Sequence, residues 1–416
     1  MNTNENEKLE QQQTASSQGM HFDDVLIQEA YNRMSKSEFE QAAKIFNDIY
    51  NRFESVLDDK QKIMLHTELS QLYFWLGDYD AAEFHSRKIF AYAPDSDIAF
   101  EILGKIFVMK FKFPEARGFF SKISKENPSK DLGMCLISIK LRDFIAAEIF
   151  LKDAATKISS PTQNPEYCVY HAYIQLLKGD AAFGVTEARA LVKKCDGNTF
   201  LLLIIAEILM TAGNYGEADS LAKKVGKACP ENDNVNAILA HSAYAQEDYI
   251  TAESKARKAL EINPLNAYAK TALIKIAIRN GRYSLAEEIA TGVLVAAPEY
   301  SLGHANLGDV YFVQGRYALA EVEYGQTQQL MSADTKGARL RKARMAFIDE
   351  RYQEAVKILE DITIAHHTYY DDAMCDLLLC YDKLKDEEKK AEMKDKMELR
   401  KTFYHRTEQL LKTFYE

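Results

Sequence analysis

A step of 34 residues recurs along this chain of 416 residues and limits the folds that it can adopt. The step separates four tyrosines, Tyr215, Tyr249, Tyr283 and Tyr317. It also separates four alanines, Ala218, Ala252, Ala286 and Ala320, and the prolines Pro230, Pro264 and Pro298. Since three residue types share one period, the pattern indicates a repeat protein in which each unit packs against its neighbours.

Each repeat contains a short phrase of glycine or a polar residue, a polar residue, an aromatic residue, two variable residues and alanine. Glycine permits a tight turn between two helices, the aromatic ring fills the wedge between them, and alanine lets the helices approach closely. Proline then ends the second helix. The positions expected to define the repeat structurally are Gly77, Tyr79, Ala82, Gly104, Ala116, Tyr215, Ala218, Tyr249, Ala252, Tyr283, Ala286, Tyr317, Ala320 and Ala355.

This pattern resembles the tetratricopeptide repeat. Two copies also match the first helix of the family's motif, through Phe100, Leu103, Gly104 and Phe107 and through Leu307, Gly308 and Tyr311. The resemblance covers residues 23–392 and implies an all-α, right-handed superhelical solenoid of about eleven helix-turn-helix repeats with a C-terminal capping helix. It also implies a protein that binds other proteins, although the fold itself names no partner.

The chain divides into three parts by composition. Residues 1–20 are polar and are expected to be a disordered tail, because they cannot bury enough apolar surface to offset the entropy of ordering. Residues 21–385 are expected to form the solenoid, with a hinge near 157–166 where a loop interrupts two poor copies. Residues 386–416 read as one long charged helix with apolar residues at helical spacing. That helix either caps the last repeat or associates with a partner or a second copy.

Charge and composition narrow the function. The formal net charge of −10 argues against nucleic-acid binding, which requires clustered lysine and arginine. The longest apolar run is too short to span a membrane, and the polar N-terminus has no signal-peptide core. The six cysteines contain no Cys-x-x-Cys pair and are expected to be reduced and buried, so the expected location is cytoplasmic.

Motifs for catalysis or cofactor binding are absent from the sequence. There is no phosphate-binding loop, no dinucleotide fingerprint, no nucleophile elbow and no His-Glu-x-x-His zinc motif. A cluster from His366 to Cys380 contains histidine, aspartate and cysteine, but its spacing matches no standard zinc pattern. We therefore predict no enzyme activity, no metal site and no cofactor.

The resemblance places the first helix of each repeat along the concave groove of the solenoid, where partners of this family bind. By register, the groove residues expected to bind a partner are Phe74, Trp75, Met109, Tyr170, Tyr173, Tyr244, Lys275, Asn306, Phe312, Arg341 and Arg344. The amino-terminal and middle parts of this set are apolar, which suits an amphipathic helix or an extended apolar peptide. The alternative is that these side chains pack between neighbouring repeats.

The function that follows is a protein–protein interaction scaffold or adaptor that binds a peptide or helix of a partner protein in the concave groove. Two alternatives stay open at this point. One is a chaperone-like protein, and the other is a ligand-responsive regulator of a secretion or assembly system. Self-association through the C-terminal helix is a further expectation.

Overall fold

Helices account for most of the residues that the computed structural model describes, which are 25–327, 335–364, 369–401 and 404–415. The predicted tail at residues 1–20 lies outside these ranges, as do His366 and His367. The described residues form 23 α-helices and contain no β-strand. The fold is the all-α solenoid that the 34-residue step predicts.

The helices are numbered α1 to α23 in chain order. Their bounds are 25–35, Phe39–Phe53, Asp59–Leu76, Tyr79–Ile89, Asp97–Met109, Phe113–Lys122, Ser129–Leu141, Phe144–Lys157, Pro165–Lys178, Ala181–Leu191, Thr199–Thr211, Tyr215–Ala228, Asp233–Ala245, Tyr249–Ile262, Ala267–Arg279, Tyr283–Ala296, Ser301–Val313, Tyr317–Gly325, Lys336–Ile348, Tyr352–Ile364, Tyr370–Leu384, Glu387–Glu398 and His405–Tyr415. Consecutive helices pack in pairs, from α1 with α2 to α21 with α22, and α23 follows the last pair.

The repeat phrase has the structural role that the sequence predicts. The alanines at its last position are fully buried, including Ala82, Ala252 and Ala320. Gly77 ends α3 with a positive φ of 89°, a conformation that glycine adopts without strain. At Gly104, an added Cβ would lie 2.5 Å from the ring of Phe120, so the glycine allows two helices to approach closely.

The first helices of successive pairs form an inner layer, because α3 packs on α5, α5 on α7, and so on to α15 on α17. The second helices form the outer layer. The predicted hinge region holds a single turn of 3₁₀ helix, Pro161–Gln163, between α8 and α9. Whether the chain bends there stays a prediction.

The C-terminal segment differs from the expectation of one long helix. Residues 386–416 contain two helices, α22 and α23, which are separated after Glu398. Helix α22 is the second helix of the last pair, so the repeats continue past residue 385. Helix α23 turns back and packs against α21 and α15. The charged composition of the segment conceals this turn, because both helices carry similar polar faces.

Candidate functional site

The inner face of the solenoid is largely filled by the protein's own side chains. Most of the predicted groove residues are less than a tenth exposed, namely Phe74, Met109, Tyr170, Tyr173, Tyr244, Asn306, Phe312, Arg341 and Arg344. Trp75 and Lys275 are half-buried. These side chains therefore do not line an open groove as expected. The structure gives the buried ones a packing role, and partner binding by any of them stays a prediction.

The groove is filled because helices far apart in sequence contact each other across the solenoid. The ring centres of Phe74 in α3 and Phe200 in α11 are 5.2 Å apart. Phe111, between α5 and α6, packs edge-on against Tyr300, with 5.8 Å between ring centres. An added Cβ on Gly77 would lie 2.9 Å from the Cα of Asn232. The early repeats thus pack against the middle of the chain.

A buried polar cluster, which we call the central clasp, joins these parts. It comprises Tyr79, Asp233, Asn234, Asn263 and Asn266. The Tyr79 hydroxyl donates a 3.0 Å hydrogen bond to Oδ1 of Asp233, 154 residues away. Asn263 and Asn266 donate to Oδ2 of Asp233 at 2.7 and 2.8 Å. The Asp233 carboxylate is therefore the common acceptor of the clasp.

The central clasp also ties the backbone of the early repeats to the later ones. Asn263 donates a 3.1 Å hydrogen bond to the carbonyl of Met109, at the end of α5. Asp233 is fully buried, and burial raises the pKa of its carboxyl group although Asn266, Asn263 and Tyr79 donate to it. The clasp contains no cationic side chain among its members, so hydrogen bonds alone offset the burial of the carboxylate.

A second buried cluster, which we call the terminal ring, alternates arginine and aspartate. It comprises Asp309, Arg341, Arg344, Asp372, Asp376 and Arg406. Arg344 pairs with Asp309 and Asp372 at 2.9 Å and with Asp376 at 2.8 Å. Arg341 binds Asp309 at 2.6 Å, and Arg406 of α23 binds Asp376 at 2.6 Å. Arg341 and Arg344, which were predicted to bind a partner in the groove, are thus neutralised by carboxylates.

The terminal ring holds α23 in the inner layer. The Tyr404 hydroxyl, just before this helix, donates a 2.8 Å hydrogen bond to Asp372. Nearby, Arg400 binds Asp371 at 2.8 Å and Glu247 at 2.7 Å, so the C-terminal segment also contacts the turn after α13. The sequence places Asp371 and Asp372 only in the cluster from His366 to Cys380 and does not show their pairing with arginines, because single aspartates in helices resemble ordinary solvent-exposed residues. The repeated spacing of arginine and aspartate was the available signal.

A cleft of about 750 Å³ opens where the early repeats meet the middle repeats, and we call it the seam cleft. Half-buried apolar side chains and exposed prolines line much of it, namely Tyr73, Leu76, Pro230, Ile262, Pro264 and Leu265. Charged residues complete the lining, namely Glu40, Asp78, Asp80, Glu231, Lys110 and Lys112. None of these residues was among the predicted binding residues, since the cleft arises from contacts between distant repeats.

The charges of the seam cleft are unbalanced. Lys110 is paired with Asp80 at 2.7 Å and with Glu83 at 3.0 Å, so its charge is offset. Four carboxylates and two lysines line the cleft, which leaves it acidic overall. An acidic, partly apolar surface favours an apolar ligand that carries positive charge.

Three of the predicted residues, Lys275, Asn306 and Arg341, come together in a smaller cavity of about 100 Å³ on the inner layer. Phe74, Trp75 and Met109 lie away from it, in the early repeats. Among the residues that the structure describes, no group of three or more histidine, cysteine or acidic residues could hold a metal ion. Within the same ranges, no helix is long and apolar enough to cross a membrane.

The helix pairs, their shared turn phrase and their side-by-side packing define an α-solenoid of tetratricopeptide type. Residues 239–301 and 271–329 match the profile of the tetratricopeptide repeat family. Most other pairs keep the same order of helices and the same buried alanine, which Gly184 replaces in α10 and Lys390 in α22. The matched residues are therefore similar to tetratricopeptide repeats, which generally mediate protein–protein interactions.

Several solved structures of repeat proteins are similar to this chain. The Cut9–Hcn1 hetero-tetramer of APC/C shows 12% identity and a TM-score of 0.44, covering 90% of this chain and 86% of that chain. Yeast Tom70 shows 14% identity and a TM-score of 0.35, covering 90% and 91%. The human IFIT1 dimer with m7Gppp-AAAA shows 16% identity and a TM-score of 0.45, covering 88% and 87%. No curated protein sequence matches the chain.

Proposed function

We propose that the protein is an interaction scaffold that binds an extended segment of a partner protein in the seam cleft. The observation that supports this choice is the contrast between the filled inner groove and the open cleft of about 750 Å³. That volume lies in the range of about 300–1,000 Å³ that is typical of ligand sites. The cleft can therefore accept several side chains of a peptide.

The chemistry of the cleft specifies the kind of segment. Leu76, Ile262 and Leu265 offer half-buried apolar surface for one or two aliphatic side chains. Glu231 is exposed at the rim, with 70% of its side-chain surface accessible, and pairs there with Lys258 at 3.0 Å on the surface. An apolar peptide flanked by lysine or arginine satisfies both features, because its charges meet the acidic rim while its apolar side chains leave water.

The fold provides a rigid frame for such a site. The Tyr79 hydroxyl and the Asn263 amide, both lining the cleft, are held by the central clasp. Because these positions are fixed before a ligand arrives, little conformational entropy is lost on binding. This gives the scaffold a preformed site at the point where two distant parts of the chain meet.

The test is fluorescence anisotropy with two labelled peptides, both extended and leucine-containing, one flanked by lysines and the other by glutamates. We expect saturable binding of the lysine-flanked peptide and weaker binding of the other. Glu231→Lys should reverse this preference by about tenfold, since a favourable rim charge becomes repulsive. The melting temperature should stay nearly unchanged, because the side chain is exposed.

Glu115→Lys provides the matched control, since Glu115 is exposed on α6 and does not line the cleft. This variant should bind both peptides as the wild type does. Binding that ignores the peptide charge, or an equal effect of both substitutions, would assign the interaction to another surface. Absence of saturable binding for both peptides would remove the proposal.

A further inference from the structure

The cavity of about 100 Å³ on the inner layer, which we call the basic cavity, has an unusual lining for a chain with a net charge of −10. Arg142, Lys275 and Arg341 line it together with His241, Thr271 and Asn306. No aspartate or glutamate of the described residues is part of the lining. A site with several cations and no lining carboxylate attracts an anion.

Arg142 is the residue whose surroundings most need explanation. It follows α7 with a positive φ of 66°, and its side chain is turned into the inner layer, where it is 5% exposed. Within the described part of the chain, its Nε and Nη1 atoms are buried and have no hydrogen-bond partner. The guanidinium lies 5.2 Å from the ring centre of Tyr173. A buried cation without a hydrogen-bonding anion is unfavourable.

Two hydroxyl groups near Arg142, those of Tyr173 and Tyr300, are likewise buried without a hydrogen-bond partner among the described residues. Both tyrosines interact electrostatically with Arg142. Neither tyrosine lines the basic cavity, so the unpaired guanidinium nitrogens of Arg142 are the donors that an anion there would satisfy.

The other two cations differ in how much of their charge is offset. Arg341 donates from Nε and Nη2 to Asp309, at 3.0 and 2.6 Å, so it is largely neutralised. Lys275 donates a 3.2 Å hydrogen bond to the Tyr369 hydroxyl, which carries no formal charge. Arg142 and Lys275 thus supply the positive charge of the basic cavity.

Other polar groups in the lining of the basic cavity suit the same kind of ligand. Thr335 and Gly337, at the start of α19, line it. The first backbone amides of a helix carry partial positive charge and favour an anion. His241 contributes no positive charge to the cavity. Burial and the nearby charge of Lys275 lower its pKa to about 3, so its ring is neutral at pH 7.

We propose that the basic cavity binds a phosphate group, either as inorganic phosphate or as the phosphate of a small phosphomonoester. A doubly charged oxyanion matches the two cations Arg142 and Lys275 and accepts hydrogen bonds from several donors at once. The space equals that of about three water molecules, which suits a compact ion better than a peptide. This site is separate from the seam cleft and does not depend on peptide binding there.

The experiment is isothermal titration calorimetry of the full chain with inorganic phosphate, sulfate and acetate at constant ionic strength. We expect saturable binding of phosphate, weaker binding of sulfate and weakest binding of acetate. Arg142→Met should reduce phosphate affinity by about tenfold or more, because hydrogen bonds between charged groups are lost. Without phosphate, the same substitution should raise the melting temperature, since an unpaired buried charge is removed.

Lys275→Met provides a second variant, and it should also weaken phosphate binding while sparing the rest of the fold. Lys112→Met, at the seam cleft, is the control and should bind phosphate as the wild type does. A titration with glycerol 3-phosphate separates the two sources. If glycerol 3-phosphate binds as tightly as inorganic phosphate or more tightly, the ligand is a phosphomonoester. If it binds clearly more weakly, the ligand is inorganic phosphate. The proposal would be overturned if neither inorganic phosphate nor glycerol 3-phosphate binds. It would also be overturned if Arg142→Met and Lys275→Met both bind phosphate as tightly as the wild type does.

Discussion

The central clasp and the terminal ring perform the same structural task with different chemistry. The central clasp joins Tyr79 to Asp233, and the terminal ring joins Asp309 through Arg344 and Asp376 to Arg406 of α23. The central clasp surrounds one carboxylate with hydroxyl and amide donors. The terminal ring instead pairs arginines with aspartates.

This difference shows that the 34-residue repeat specifies the helix pairs but does not specify how the solenoid closes on itself. The closure depends on a few polar residues at positions where the repeat phrase is variable. Because buried ion pairs and neutral hydrogen bonds differ in cost and in their dependence on pH, the two clusters should respond differently to substitution and acid.

The largest effect is expected from Arg344→Met in the terminal ring. Arg344 is 2% exposed and contacts three aspartates. Removing it leaves these carboxylates without their shared cation, and breaking a buried charge pair costs about 3–5 kcal/mol. Urea unfolding followed by circular dichroism measures the loss. Amide hydrogen exchange should show that α19, α21 and α23 open first, before the early repeats.

Arg351→Met is the matched control for this prediction. Arg351 is half-exposed and pairs with Asp349 and Glu354 on the surface, so its loss should cost about 0–1 kcal/mol. Similar costs for the two arginine substitutions would show that the terminal ring is not buried as described.

Much of the fold could be predicted from the sequence, because the repeat phrase is local. The turn at Gly77 and the close helix crossings at Ala82 and Ala252 each form within a single helix pair, so the spacing of these residues alone reveals them. The helical class and the solenoid architecture were predicted correctly for this reason. The expected single helix over residues 386–416 was not found, because the turn after Glu398 depends on where α23 packs.

The candidate sites could not be predicted in the same way. Register assigned Tyr173 and Phe312 to the inner layer, where both lie, but it could not show that distant helices would cover them. The seam cleft depends on contacts such as that between Gly77 and Asn232, which are more than 150 residues apart. The unpaired side chain of Arg142 likewise becomes visible only when all its neighbours are known.

A smaller effect is expected when the stability of the fold is measured at lower pH. Arg341 and Arg344 outweigh the burial of Asp309 and lower the pKa of its carboxyl group. The ionised Asp309 therefore stabilises the fold above the unfolded pKa of about 3.9, and this contribution is lost as the pH falls through the lower folded pKa. Burial instead raises the pKa of Asp233. The folded chain then binds that proton before the unfolded chain does, so falling pH favours the fold there.

Comparing each carboxylate with its amide variant measures this opposite dependence. Between about pH 7 and about pH 3, the stability lost on Asp309→Asn should shrink, and the stability lost on Asp233→Asn should grow. Urea unfolding of wild type and both variants at each pH supplies the values. The same pH trend for both substitutions would mean that the two clusters do not differ in the electrostatic sense described here.

A double-mutant cycle tests most directly whether the solenoid closes on itself through the central clasp. The cycle compares the free energies of unfolding of wild type, Tyr79→Phe, Asp233→Ala and the double variant. If the hydroxyl donates to this carboxylate, the two substitutions should be coupled by about 1–3 kcal/mol. If these residues, 154 positions apart, do not touch, their effects will add to within about 0.5 kcal/mol, which would contradict closure of the solenoid.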